Sequence, residues 1–394
     1  MTITVRGLFE VLAIVNGTLI TETGEKAENG VILVEQGKII AVQTRAEIPV
    51  GAEVIEAKGK FVTPGIIDVH THLGISEEGI GKEGADYNEV SEAVTPYVRA
   101  LDGINPEEQG FKDAIRSGVT TVQIMPGSAN VIGGEIIAVK TYGNIIDNMI
   151  LRSPSGMKAA FGENPKRFHG GKDKAPITRM AIAGLFRQQF IKAQNYLKSL
   201  EGHSPVPRDL GLENLGKVLT REIPLRAHAH RADDIVTVLR LAKEFGITVT
   251  IEHCTEGHRI ADCLAESGVR VAVGPTMSTR SKVELADKGW HTVIALANAG
   301  VPVSITTDHP VVGIEYLITS VATAVSYGLA EAVAWQSVTI NAAKHIGVED
   351  RVGSIEVGKD ADLVIWSGDP FDLRNKVEQT LIEGKVVYSA QHQD

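Results

Sequence analysis

Four short segments place imidazole and carboxylate groups where neighbouring strands would aim them at one point. Asp68-Val69-His70-Thr71-His72 closes an apolar run. In an extended strand, residues i and i+2 face the same side, so His70 and His72 project together. Two imidazoles at that spacing grip one divalent cation through nitrogens about 2.0–2.1 Å from it. Arg226-Ala227-His228-Ala229-His230 repeats the arrangement. Here His228 is read as the metal ligand and His230 as a catalytic hydrogen-bond partner of the substrate. Ile251-Glu252-His253-Cys254 sets a further ligand, His253, about one strand–helix step later. Ser304-Ile305-Thr306-Thr307-Asp308-His309-Pro310 ends the last apolar run on Asp308. That carboxylate suits two roles: binding the cation, and taking a proton from water to return it to the leaving group. Its structural alternative is an N-cap for the stretch after Pro310.

Nitrogen and carboxylate donors with an open position suit zinc first, and manganese, iron or cobalt as alternatives, as one or two ions. Such a cation lowers the pKa of its water toward about 7 and polarises a carbonyl, chemistry that fits hydrolysis of an amide C–N bond.

Elements must hold these groups in register. Gly65–His70, Thr120–Met125, Met157–Phe161, Leu225–His228, Thr248–His253, Arg270–Gly274 and Val303–Thr307 read as strands. Between the later ones, apolar residues at three-to-four spacing predict helices, one through Ile235, Val238 and Leu239 ended by Gly246, the next through Ile260, Cys263 and Leu264 ended by Gly268. The regular step between the histidine segments predicts an α/β fold, a (β/α)8 TIM-like barrel, over an open doubly wound sheet. Segments 73–110 and 126–180 exceed minimal connections, so they are expected to carry function at the barrel mouth. The chain's two ends are β-rich. Val11–Val15, Val31–Glu35 and Ile39–Val42 are punctuated by Asn16-Gly17, Asn29-Gly30 and Gln36-Gly37, read as hairpin turns; Val377–Ile382 and Lys385–Ser389 flank Glu383-Gly384. Residues 1–62 and 351–394 are therefore expected to form one small β-sandwich, and residues 63–350 the barrel.

Thr63-Pro64-Gly65-Ile66-Ile67-Asp68-Val69-His70-Thr71-His72 resembles the entry motif of the amidohydrolase superfamily. Val352-Gly353-Ser354-Ile355-Glu356-Val357-Gly358-Lys359-Asp360-Ala361-Asp362-Leu363-Val364 resembles that superfamily's return into its small β domain, and Asn341-Ala342-Ala343-Lys344 the helix before it. The likeness covers nearly the whole chain and is greatest to the imidazolonepropionase-related members. It implies a barrel with a composite β-sandwich, metal binding by His70, His72, His228 and His253, and Asp308 as ligand and proton shuttle. Binuclear members also bridge their metals with a glutamate or a carboxylated lysine. Glu163 is the first candidate here because it lies further along its run, and Lys158 the second. Two departures stand out. Deaminases of the superfamily often carry a glutamate where this chain has Arg231. The acid expected of an imidazolonepropionase after the third strand is not found.

Between Arg152 and Arg179 the sign of the charge reverses: Arg152, Lys158, Lys166, Arg167, Lys172, Lys174 and Arg179 face only Glu163 and Asp173. Folded over the mouth, such a run attracts a substrate carboxylate. Lys158, Arg167, Arg231 and Arg280 are the substrate-binding candidates, and the expected substrate is a small carboxylate-bearing amide, derived from an amino acid or dipeptide-like. Rival readings are hydrolytic deamination of a nitrogenous ring, lactone or phosphotriester cleavage, and a non-catalytic assembly module, which would lack ligands that this chain has.

The net charge of −10, from 39 basic and 49 acidic residues, argues against a nucleic-acid partner. Cys254 and Cys263 are too few for a disulfide framework. No apolar run approaches the roughly 18 residues of a membrane span, and Arg6, Glu10 and Asn16 interrupt the start. A cytoplasmic enzyme with a small-molecule substrate is expected, and an apolar face of the small domain would suit a homo-oligomer.

Overall fold

The computed structural model describes residues 11–21, 23–44, 47–171, 174–202 and 204–391. Arg6, Glu10, Lys172 and Asp173 lie outside them.

Five strands open the chain: β1 (Leu12–Ile20), β2 (Lys26–Glu35), β3 (Lys38–Gln43), β4 (Glu53–Glu56) and β5 (Phe61–Pro64), of which β1 and β2 carry most of the buried aliphatic residues and β4 is a partly exposed edge. Gln36 and Gly37 (φ 51° and 77°) form the turn between β2 and β3, as the sequence predicts. The two Asn-Gly pairs do something else. Asn16-Gly17 lies inside β1 and Asn29-Gly30 inside β2, with Gly17 opposite Gly30 and the register slipping around them. They are paired irregularities of long strands rather than turns. A Cβ on Gly17 would stand 2.7 Å from Val62, and one on Gly30 2.2 Å from Leu19, so neither position has room for a side chain.

Eight strands then form the second sheet: β6 (Ile66–Thr71), β7 (Val119–Ile124), β8 (Ile132–Lys140), β9 (Ile150–Ala160), β10 (Leu225–Ala229), β11 (Val249–His253), β12 (Arg270–Val273) and β13 (Val303–Ile305). They neighbour one another in chain order. Seven are the expected strands. The eighth, β8, was hidden in the long segment 126–180. It runs antiparallel to both β7 and β9, because the connections before and after it are too short for the crossover a parallel partner needs. The barrel is thus TIM-like with one reversed strand, rather than eight repeated βα units. Its second half follows the expected rhythm. The helices Ala232–Phe245 and Ala261–Ser267 each end on a left-handed glycine, Gly246 (φ 66°) and Gly268 (φ 65°).

The seam between β13 and β6 is closed by side chains. The buried Asp68 carboxylate accepts from Thr307 N at 3.1 Å, Thr307 Oγ1 at 2.6 Å and the Thr306 hydroxyl, which also donates to His70 O at 2.9 Å. Burial pushes the Asp68 carboxyl up to about 6, against those hydrogen bonds. Asp308, directly after these threonines, is therefore held beside His70.

The chain returns through β14 (Leu363–Trp366), β15 (Val377–Ile382) and β16 (Lys385–Ser389). Antiparallel pairing of β14 with β5 joins the two ends of the chain in one sheet, ordered β16-β15-β14-β5-β1-β2-β3 with β4 beside β1. Hydrogen bonding makes the ladder continuous, and β1 divides its length between β4 and β5. Ile14, Ile32, Val62, Leu363 and Leu381 fill its core.

A buried ion cluster fastens this sheet to the barrel. Lys140 Nζ, at the end of β8, lies 2.7 Å from Asp360 Oδ2 and 3.0 Å from Asp362 Oδ1, while Arg351 and Lys38 also contact Asp360. Lys140→Met leaves two buried carboxylates short of a partner, and is expected to cost about 3–5 kcal/mol. Urea unfolding would read this as a lowered midpoint; an unchanged midpoint would show that the cluster adds nothing.

Candidate active site

His70, His72, His228, His253 and Asp308 converge at the C-terminal ends of the barrel strands, where such barrels carry their chemistry. His70 and His253 have ring centroids 4.5 Å apart, His253 and His228 4.5 Å, His228 and His230 4.6 Å, and His230 and His253 4.8 Å. Asp308 Oδ1 is 3.6 Å from His70 Nε2 and 3.4 Å from His72 Nε2. His253 is common to two groups whose donor atoms lie within 4.8 Å of one another, His70–His253–Asp308 and His228–His230–His253. The Asp308 side chain faces these imidazoles, so the N-cap alternative is not what it does.

Every imidazole is oriented the same way. His70 Nδ1 pairs with Glu252 Oε2 at 3.0 Å, and His72 Nδ1 with Met125 O at 2.7 Å. His228 Nδ1 pairs with Ser128 Oγ, His230 Nδ1 with Thr255 Oγ1 and His253 Nδ1 with Gly274 O, all at 2.8 Å. Each ring is thus anchored through Nδ1 and turns Nε2 toward the others, the arrangement that second-shell partners impose on ligating histidines. The buried Nε2 atoms of His228, His230 and His253 have no hydrogen-bond partner, while Glu284 Oε1 nearby pairs with Lys282 Nζ at 3.1 Å. An unsatisfied buried polar group costs about 1–3 kcal/mol. Three such nitrogens gathered in one place fit a site whose ligand is a cation. Burial pushes His70 down to about 3 and His253 to about 4, and holds His228 and His230 well below their usual value, so all four are neutral and able to ligate.

His253 reaches the cluster by a local departure from strand geometry. The register pairs His228 with Glu252 and Ala229 with His253, so alternation alone puts Glu252 on the interior face and His253 on the other. Left-handed backbone at His253 (φ 73°) and Cys254 (φ 50°) re-aims the ring, and Asp308 (φ 55°) is held in the same region. Such non-glycine conformations cost about 1–3 kcal/mol each and gather at functional sites.

Of the two bridging candidates, Lys158 lies against the histidines and Glu163 does not. Lys158 lies within β9, fully buried, with Nζ 3.2 Å from His70 Nε2 and 3.1 Å from Met125 Sδ. Burial pushes its amine down to about 8. Glu163 opens the helix Glu163–Gly170 after Gly162 (φ 85°), and its carboxylate accepts from Glu284 N at 3.3 Å, outside both donor groups. Position along the run misled, because the strand ends before Glu163 and the chain turns away.

The substrate-binding candidates other than Lys158 are spread out. Arg167 is exposed, its guanidinium 5.6 Å from the Phe168 ring centroid. Arg231 pairs with Asp233 at 2.9 and 3.0 Å. Arg280 donates to Ala286 O and Lys288 O, bracing its own loop. Among the described residues the basic run does not gather into one patch either: Arg152 donates to Gly347 O, and Arg179 pairs with Asp234.

Sequence reasoning missed several members. Glu252 was visible beside His253, and its pairing with His228 is the signal that would have turned it inward. Glu284, in the loop after β12, lies 3.8 Å from His228 Nε2 and 3.7 Å from His230 Nε2. Nothing in its aperiodic surroundings announces it. The long segments do supply the site: Tyr87 packs on His72 with centroids 5.3 Å apart, and Ser128 holds His228.

The amidohydrolase family pattern matches residues 61–387. The chain is 29% identical over 390 residues to amidohydrolase tasK of Hapsidospora irregularis, covering 91% of this chain but 40% of that protein. It is 26% identical over 363 residues to an imidazolonepropionase of Aeromonas salmonicida, covering 85% of this chain and 84% of the relative. Among solved structures, an amidohydrolase from Thermotoga maritima MSB8 matches with a TM-score of 0.93 at 43% identity, over 96% of this chain and 100% of that one. With the histidine and aspartate cluster at the strand ends, these likenesses make the chain a member of the amidohydrolase family, related to the imidazolonepropionases and hydrolysing C–N bonds.

Proposed function

We propose that the protein cleaves the amide C–N bond, linear or cyclic, of a small carboxylate-bearing substrate derived from an amino acid or resembling a dipeptide. His70, His72, His228, His253 and Asp308 are the residues to hold one or two divalent ions, zinc first among them. The observation that carries this reading is the gathering of anchored, neutral imidazoles whose free Nε2 atoms share one buried space with a carboxylate. When bound, such an ion supplies Lewis acidity toward a carbonyl and lowers the pKa of water to about 7. Asp308 accepts the proton that the attacking water gives up and returns it to the departing nitrogen. His230 Nε2, unpartnered and 3.7 Å from Glu284, is the hydrogen-bonding group for the substrate. Lys158 serves either the substrate carboxylate or, in the neutral form its burial favours, carboxylation to a bridging group. The relatives named imidazolonepropionase support the cyclic-amide arm, since that name denotes a ring bearing a propionate. Residues 1–62 and 351–394 form the small domain and residues 63–350 the catalytic one. Among the described residues no helix is long and apolar enough to cross a membrane.

Purified protein loaded with Zn2+ or Mn2+ and offered N-acyl amino acids, dipeptides and carboxylate-bearing cyclic amides is expected to release a new carboxylate and an amine. A chelator should stop the reaction and added ion restore it. Ammonia release from purines or pyrimidines with every amide left intact would overturn this reading in favour of deamination.

A further inference from the structure

We infer that Lys282 receives the substrate carboxylate, and that the enzyme selects amides whose carboxylate stands close to the scissile bond, as in N-acyl amino acids and dipeptides. The assignment rests on the amide-hydrolase reading above. It gives the carboxylate to Lys282 in place of Lys158.

Lys282 stands just before the short helix Val283–Leu285, in the loop after β12. Its Nζ lies 3.1 Å from Glu284 Oε1, and that oxygen is 3.8 Å from His228 Nε2 and 3.7 Å from His230 Nε2. One carboxylate oxygen thus separates the ammonium from the nitrogens of the reacting centre. Burial first, and then the Lys282 ammonium, hold His230 well below its usual value, so the charge is felt where the substrate binds. Lys158 is fully buried against His70, whereas the Lys282 side chain keeps 12% exposure and stays within reach of an incoming solute.

An ammonium has three N–H groups. One bonds Asn164 Oδ1 at 2.8 Å and a second serves Glu284. The third has no partner among the described residues. The mount is built from two chain segments that clasp each other: Glu284 Oε2 accepts from Glu163 N at 3.0 Å, and Glu163 Oε2 from Glu284 N at 3.3 Å. Asn164 fixes the ammonium without neutralising it, and Glu284, 1% exposed, stays behind it. On its open side the ammonium is the nearer charge, so an anion there is attracted. A lysine held in this way loses little freedom on binding. Hydrolysis breaks the amide C–N bond, with hydroxyl going to the acyl carbon and hydrogen to the nitrogen. In an N-acyl amino acid the carboxylate carbon is three bonds from that acyl carbon, so the group that grips it must stand beside the histidines, as Lys282 does. A carboxylate at the end of a longer chain would overshoot it.

The test compares N-acyl amino acids with their primary carboxamides on Zn2+-loaded protein. The wild type is expected to favour the carboxylate in kcat/KM. Lys282→Met should lower that preference about 10–100-fold, what one charge-assisted hydrogen bond is worth, and mostly through KM. Lys282→Arg, which keeps the charge, should retain part of it. Calorimetry of the same compounds on metal-free protein should show the same loss of affinity without turnover. A lysine that only stabilised the loop would affect both compounds alike and leave their ratio unchanged. Lys282→Met strands the buried Glu284 carboxylate. Were it too unstable to purify, the double variant Lys282→Met with Glu284→Gln removes both charges and should lose the same preference. A wild-type ratio kept in whichever variant is measured, or wild-type turnover confined to cyclic amides, would overturn the inference and leave the hydrolase reading intact. A wild type indifferent to the carboxylate would overturn the inference together with the carboxylate part of the proposed function. Failure to cleave any amide would overturn the whole reading.

Discussion

Asp308→Asn is expected to lower kcat/KM for amide hydrolysis by about 10²–10⁴-fold, the range general acid–base catalysis contributes, with the fold preserved. Asp308 is the one carboxylate of the cluster that leans on both His70 and His72, with its side chain 15% exposed and so within reach of a substrate. An amide of the same shape neither takes up nor returns a proton at neutral pH. The backbone favours this exchange: Asp308 sits at φ 55°, a region that asparagine tolerates better than most residues. The hydrogen bonds that close the barrel seam belong to Asp68, Thr306 and Thr307, and the exchange leaves them in place. Because Asp308 also faces the cation site, the assay is run at saturating metal, with metal content measured alongside. A variant that keeps its ion, melts near the wild type and still turns over within a few-fold of it would remove Asp308 from proton transfer.

How far the sequence reveals this site depends on which physical rule governs each residue. Strand alternation correctly pairs His70 with His72 and His228 with His230, since both rules and residues are local. The same rule points His253 the wrong way, and only the left-handed backbone at the strand end brings it back. β8 escaped because its nine residues are buried throughout and lie within a long segment, with no α-helix on either side to mark a βα step. The two Asn-Gly pairs carry a true turn preference, which long strands paired to each other absorbed as irregularities. Glu284 and the dispersal of the basic run were out of reach. Both depend on which loops meet in space: Arg152 stands against Gly347, and Glu284 against the chain at Gly162–Glu163. A local count of charge carries no information about either.

Glu252→Gln is expected to weaken cation binding at the histidine cluster about 10–100-fold, the usual effect of losing a group that orients a ligating histidine. The Glu252 carboxylate is fully buried and accepts from three donors: His70 at 3.0 Å, His345 Nε2 at 3.0 Å and Thr250 Oγ1 at 2.7 Å. Burial works against its charge, and the imidazoles of His345 and His70 outweigh that, holding the carboxyl well below its usual range. Glutamine offers one acceptor oxygen where two are in use. If its NH2 faces His70, that ring must accept at Nδ1 and carry its proton on Nε2, the atom turned toward Asp308, where it blocks ligation. If the NH2 faces the other way, His345 and Thr250 lose their acceptor, at about 1–3 kcal/mol for each buried group left unpaired. Thr250→Val separates positioning from stability. It removes one donor from the same carboxylate and leaves the His70 bond intact. Urea unfolding of the metal-free proteins should show both variants destabilised, while Zn2+ competition should show only Glu252→Gln weakened. Equal loss of affinity in the two would mean that Glu252 serves the barrel interior alone and that His70 needs no help to present Nε2.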